Sequence, residues 1–90
     1  MNISIKSPCS ASTIIKYGMK NWPTWECEPS NFKYFYKEKE TCLIIKGEAI
    51  IKTSAEIFNI RSGDLIIFPK GFDCTWEVRK AIKKHYRVGD

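Results

Sequence analysis

Two short apolar runs, each closed by a glycine, constrain the fold of this chain more than any other feature. The first is Glu40-Thr41-Cys42-Leu43-Ile44-Ile45-Lys46-Gly47, a glutamate, six residues and a glycine. The second is Gly63-Asp64-Leu65-Ile66-Ile67-Phe68-Pro69-Lys70-Gly71: a glycine, five residues, a proline, one residue, a glycine. Both runs have strand length, and both end on a residue that permits a sharp turn. Gly47 and Gly63 are separated by enough chain for one hairpin, Glu48 to Ile60, joined through Ser54-Ala55.

Alternation carries the same message beyond the two runs. Phe32, Tyr34 and Tyr36 fall on one face, with Lys33, Phe35 and Lys37 on the other. A period of two identifies a half-buried strand, and the lysines mark its solvent side. Cys74, Trp76 and Val78 repeat the pattern against Thr75, Glu77 and Arg79. Ile82, Lys84, Tyr86 and Val88 do so against Lys83, His85 and Arg87. Short strands with turn signals at this spacing, and almost no helix, predict an antiparallel sandwich or barrel.

The amino-terminal segment reads differently. Asn2 to Lys6 suits a short edge strand. Ser10 to Met19 predicts one or two helical turns, with Ser10 or Ser12 as cap and Ile15 and Met19 on one face. Gly18 weakens or ends that helix. Residues 1–21 are therefore expected to pack on a barrel formed by residues 22–90. Trp22-Pro23-Thr24-Trp25 has extended or turn character, and its tryptophans either close an end of the barrel or plug its core.

Composition narrows the function classes. Ninety residues allow one small domain. No apolar run approaches the ~20 residues of a membrane span, and Met1 to Lys6 lacks the apolar core of an export signal. The expected location is the cytoplasm, with no membrane partner. The four cysteines, Cys9, Cys27, Cys42 and Cys74, share no Cys-x-x-Cys spacing and read as free thiols. A net charge of +5 comes mainly from scattered lysines. No basic face with aromatic or arginine readers emerges, so no nucleic-acid partner is expected.

The paired runs resemble the two motifs of the cupin superfamily. Glu40 and Gly47 match the end of the first motif, and Gly63, Pro69 and Gly71 match the second. The wider text from Trp22 to Tyr86 is similar to the cupin domain of (S)-ureidoglycine aminohydrolase. The resemblance implies an all-β, single-domain jelly-roll barrel. It also shows departures: Tyr34 and Tyr36 stand where the family carries two histidines, and Cys74 replaces the last one.

On that alignment Tyr34, Tyr36, Glu40 and Cys74 point into the barrel mouth, and alternation sends Trp76 and Lys84 inward as well. One carboxylate, one thiol and two phenols fall short of the three strong donors that a divalent metal needs, so neither metal nor cofactor is expected. The only histidine, His85, sits on the outward face. Glu40 has two readings: a poised acid or base in an apolar barrel, or a buried carboxylate paired with Lys84 or a tyrosine. Cys74 is either a nucleophile or a small apolar filler. Tyr34, Tyr36 and Trp76 either stack on a ligand ring or fill the barrel.

Three functions follow. One is a metal-independent protein that binds a small polar molecule through Tyr34, Tyr36, Glu40, Cys74, Trp76 and Lys84. The second is a metal-dependent enzyme like ureidoglycine aminohydrolase, releasing ammonia from a ureido compound. The third is a structural, dimerising barrel. Asn2 to Lys6 lacks an obvious partner strand, and family members commonly associate through sheet edges, so a homodimer is expected.

Overall fold

The two glycine-closed runs form neighbouring strands in a computed structural model that describes residues 2–89. In chain order the elements are β1 (Ser4–Lys6), α1 (Ala11–Lys16), a 3-10 turn (Met19–Asn21), β2 (Thr24–Cys27), β3 (Ser30–Phe35), β4 (Glu40–Lys52), β5 (Ile57–Arg61), β6 (Leu65–Phe68) and β7 (Asp73–Val88). The pairing is antiparallel throughout. The main path runs β1-β6-β4-β7-β2, with β3 added to β7 and β5 to β4. The chain folds as the all-β jelly-roll barrel expected.

The long pair β4 and β7 is the frame. Glu40 lies opposite Val88 at one end and Lys52 opposite Thr75 at the other. The register shifts between Ile44 and Ala49, and bulges of this kind bend a strand and increase its twist. The first half of β4 pairs with β6 and the second half with β5. Here the structure corrects the sequence reading: Gly47 does not end a strand but sits within β4, at the bend. Its φ of 95° is in the left-handed region, and a β-carbon there would collide with the Ala81 and Lys80 carbonyls. Glycine is what lets β4 and β7 approach at the corner. Likewise the two alternating segments from Cys74 and Ile82 are one strand, β7.

Other turns follow the sequence. Thr53 Oγ1 accepts from the Ala55 and Glu56 amides, closing the β4–β5 hairpin. Asp64, 3% exposed, accepts from the Arg61 amide at 3.0 Å and from the Ser7 hydroxyl at 2.6 Å. Ser10 caps α1 through the Thr13 amide, and Gly18 at φ 60° ends the segment before the 3-10 turn.

The amino-terminal strand has a partner: Ser4 to Lys6 pairs with Ile67 to Leu65 of β6. The argument for a dimer from an unpaired strand therefore falls away, because the chain satisfies that strand itself. Thr24–Cys27 is a true strand, paired to β7 from His85 to Ile82, where the sequence suggested only extended or turn character.

The core is built by inward residues of both halves, including Ile44, Ile51, Ile60, Ile66, Phe68 and Trp76, all essentially inaccessible to solvent. A second cluster of Cys9, Met19, Leu43 and Leu65, with Ile14 and Trp22 packed on it, holds the amino-terminal segment against the sheet. None of the helices is long and apolar enough to cross a membrane among the described residues.

Candidate functional site

Glu40, Cys42 and Ile44 alternate onto the inner face of β4, opposite Val88, Tyr86 and Lys84 of β7. The lysine is paired opposite Ile44, so its four-carbon stem runs along the strand direction to reach the carboxylate two positions beyond Cys42. Lys84 Nζ donates to Glu40 Oε2 at 3.1 Å and to Cys42 Sγ at 3.4 Å, and Cys42 Sγ donates to the same Oε2 at 3.1 Å. Glu40 is 8% exposed and Lys84 6%. Of the two readings for Glu40, the pairing with Lys84 is the one the fold adopts.

Aromatic rings enclose the pair. The ammonium lies 4.9 Å from the ring centroids of both Trp25 and Trp76, within cation–π range. Phe32 stacks on Trp76 at 6.2 Å and Trp25 meets both edge-on. Tyr36 stacks on Phe68 at 4.3 Å, and its hydroxyl accepts from the Trp76 indole N–H at 3.1 Å. The turn after β6 fixes Tyr36 through backbone bonds: the Tyr36 amide donates to the Phe72 carbonyl, and the Gly71 amide to the Tyr36 carbonyl. The second glycine motif thus positions a side chain of the site.

These groups line a cleft of about 220 Å³. Glu40, Lys84 and Tyr36 form its polar part, Trp25, Phe32 and Trp76 one aromatic wall, and Tyr34, Tyr86 and Val88 complete it. The barrel interior is filled below this cleft and open at it.

Electrostatics keep the polar groups in defined states. Burial pushes the Cys42 thiol up to about 12, outweighing the nearby Lys84, so it stays protonated at neutral pH. Burial also raises the Tyr36 phenol well above its ordinary range, and the nearby Glu40 carboxylate adds to the rise. Burial alone would lower Lys84, but Cys42 and Glu40 together hold it above the usual lysine value. The site therefore presents an ammonium, a thiol and a phenol that all keep their protons. Lys84 is no amine nucleophile at neutral pH, and Cys42 is no thiolate. The arrangement is suited to holding a ligand by hydrogen bonds rather than to attacking one.

Five of the six expected ligand-binding residues (Tyr34, Tyr36, Glu40, Trp76 and Lys84) line this cleft. Cys74 does not. It is 4% exposed within the core, and its Sγ donates to the Tyr34 carbonyl at 3.7 Å. Burial and the neighbouring Asp73 push its thiol up to about 11, so it packs as a small protonated filler. Tyr34, expected inside, is 45% exposed at the rim, its ring edge-on to Tyr36 at 4.6 Å. Tyr36, just past the end of β3, is held in the core by backbone bonds to Phe72 and Gly71, and Tyr34 lacks that tie.

Trp25, Phe32, Tyr86 and Val88 were not among the ligand-binding residues expected from the sequence. Alternation does place Tyr86 and Val88 with Lys84, and Phe32 with Tyr36. Trp25 was expected to close or plug the barrel, and β2, on which Trp25 and Cys27 alternate inward, carries it to the cleft. The two tryptophans part company: Trp22 packs in the second cluster, with the Arg87 guanidinium 5.2 Å from its ring. His85 lies on the outward face, its Nδ1 3.0 Å from the Trp22 carbonyl.

The donor set does not fit a divalent metal. Among the described residues no three His, Cys, Asp or Glu side chains converge, and the one carboxylate in the cleft already binds an ammonium.

An antiparallel jelly roll with its polar side chains at the mouth defines a cupin barrel. Residues 16–86 match the EutQ-like cupin domain family, and the chain belongs to that family. A DUF861 family protein from Thermotoga maritima is similar over 97% of this chain and 99% of its own, with 34% identity and a TM-score of 0.92. A putative ethanolamine utilization protein Q from Salmonella typhimurium LT2 is 17% identical, over 73% of this chain and 54% of its own, with a TM-score of 0.67. EutQ of Clostridium difficile is 23% identical, over 73% of this chain and 52% of its own, with a TM-score of 0.68. The chain thus spans about half the length of these two proteins, and at such identity the likeness is one of fold. No curated protein matches the chain. The family stands at the level of EutQ-like cupins, and likeness to ureidoglycine aminohydrolase rests on the sequence resemblance alone.

Proposed function

We propose that this cupin binds a small polar molecule in the aromatic cleft above the Glu40–Lys84 pair, without a catalytic metal. The observation that carries the reading is a cleft of about 220 Å³ directly beside a buried, mutually paired carboxylate and ammonium. A barrel needed only as a scaffold gains nothing from buried charges, since hydrophobic side chains of similar volume are often as stable or more so. A mostly apolar concavity with a few convergent polar groups is the usual form of a small-molecule site. In this reading Glu40, Tyr36 and Lys84 orient the ligand, Trp25, Phe32 and Trp76 supply its walls, and Tyr34 borders the entrance. A metal-dependent, ammonia-releasing reaction has no supporting donor set here.

Two further expectations belong to the same proposal. A cytoplasmic setting agrees with four free cysteines, of which Cys9, Cys42 and Cys74 are buried. Homodimerisation rests on the outer edge of β1, which ends the strand order beyond β6. Sedimentation showing only a 10.5 kDa species removes the dimer.

The test of the binding reading is a thermal-shift and tryptophan-fluorescence screen of small polar compounds. A compound that binds saturably and loses its effect with Trp25→Leu supports the site. Binders indifferent to Trp25→Leu, or no binders, reject it.

A further inference from the structure

The hydrogen bonds inside the cleft leave two complementary positions open. Glu40 Oε2 receives both the Lys84 ammonium and the Cys42 thiol, while Oε1 has no hydrogen-bond partner among the described residues. No buried side-chain oxygen there is left unpartnered, so Oε1 is reached from the cleft that Glu40 lines. Tyr36 shows the converse. Its oxygen accepts the Trp76 indole N–H, which is only a donor, and its own O–H has no acceptor among the described residues. The cleft therefore offers the unshared carboxylate oxygen of Glu40 as an acceptor and the Tyr36 hydroxyl as a donor within aromatic walls, with the Tyr34 and Tyr86 hydroxyls also lining it.

Its charge is balanced. Among the described residues Glu40 and Lys84 cancel, and the other side chains lining the cleft are aromatic or aliphatic. An anionic ligand would meet the unshared carboxylate oxygen, and two of the three donors of the ammonium are already taken by Glu40 and Cys42. A cationic ligand would lie beside Lys84, a like charge already held between two indole faces. It would also leave the Tyr36 O–H without an acceptor. A neutral group with an N–H for Glu40 and a carbonyl for Tyr36 fits both positions. A cleft of about 220 Å³ has room for one ring or a chain of similar size.

Building on the small-molecule reading above, we infer that the cleft selects a neutral, planar amide-type ligand, with Glu40 Oε1 accepting its N–H and the Tyr36 O–H donating to its carbonyl. Selection comes from leaving a buried donor or acceptor unpaired when the wrong group enters, which costs more than a lost contact at the surface.

Three probes with the same ring separate the possibilities: benzamide, benzoate and benzylammonium, titrated at neutral pH against the wild-type chain and followed by tryptophan fluorescence. The expected result is saturable benzamide binding at least about tenfold tighter than either ion, about 1.4 kcal/mol. Tyr36→Phe, checked by circular dichroism for retention of the fold, is expected to erase most of that preference. Equal or tighter binding of benzoate or benzylammonium overturns the selectivity and leaves the cleft a ligand site. Binding of none of the three at millimolar concentration overturns this inference, while the broader screen with Trp25→Leu still decides the binding reading. If Tyr36→Phe does not fold, the comparison of probes on the wild-type chain decides by itself.

Discussion

Lys84 Nζ reaches Glu40 Oε2 at 3.1 Å although the two residues lie 44 positions apart and are not opposite each other in the β4–β7 ladder. The lysine stands opposite Ile44 and the glutamate opposite Val88. Only a long, flexible stem on the inner face closes that gap, and it does so by threading between Trp25 and Trp76. The pair ties the two longest strands together at the mouth.

Breaking the pair from one side leaves a buried charge uncompensated. Glu40→Gln and Lys84→Met are each expected to cost about 3–5 kcal/mol. The double variant is expected to recover much of the loss, because no unpaired charge remains. Urea denaturation of the four proteins measures this. Additive losses in the double variant would show that the two side chains are not coupled.

Alkaline pH is expected to destabilise the fold. Cys42 is raised from 9.0 to about 12, and Tyr36 and Lys84 are also raised above their ordinary values. A raised folded-state value means that the native chain keeps a proton which the unfolded chain releases. Stability is thus complete below about pH 9 and falls as pH rises towards 12. Melting temperature followed across that window should decline, and Cys42→Ala should flatten the decline while lowering the neutral-pH value. A wild-type melting temperature that holds or rises across that window would contradict the assignment.

Gly47 is expected to be harder to replace than Gly63. Its alanine variant combines a positive φ with a collision against the Ala81 carbonyl. Gly63, at φ 97°, has only the Pro8 side chain at 3.6 Å and bears the conformational cost alone, about 1–2 kcal/mol. Gly47→Ala should therefore lose clearly more stability than Gly63→Ala in denaturant titration, or fail to fold. Equal losses would mean that β4 and β7 separate at the bend without penalty.

Metal analysis addresses the remaining chemistry. Purified, dialysed protein is expected to carry less than about one-tenth equivalent of iron, manganese, nickel or zinc, since three strong donors do not converge among the described residues. Near-stoichiometric metal that disappears with Glu40→Gln would revive the metal-dependent reading.

Most strands and their inward faces were legible in the local residue pattern. Glycines at 63 and 71, and period-two alternation through Tyr36, Trp76 and Lys84, encode local backbone geometry and side-chain direction, which depend only on neighbouring residues. That was enough for the barrel, for the second turn motif, and for five residues of the cleft. It was not enough for β2, whose four residues become a strand through pairing with β7, or for Gly47, whose bend is set by the distant Ala81. Nor could it distinguish Tyr34 at the rim from Tyr36 in the interior, since both share one face and differ only in what lies beyond the end of β3. Whether Cys74 faced the cleft and whether Lys84 answered Glu40 were decided by the crossing of strands. Alternation says which side of a sheet a residue takes, and only the tertiary structure says how far along that side its neighbours reach.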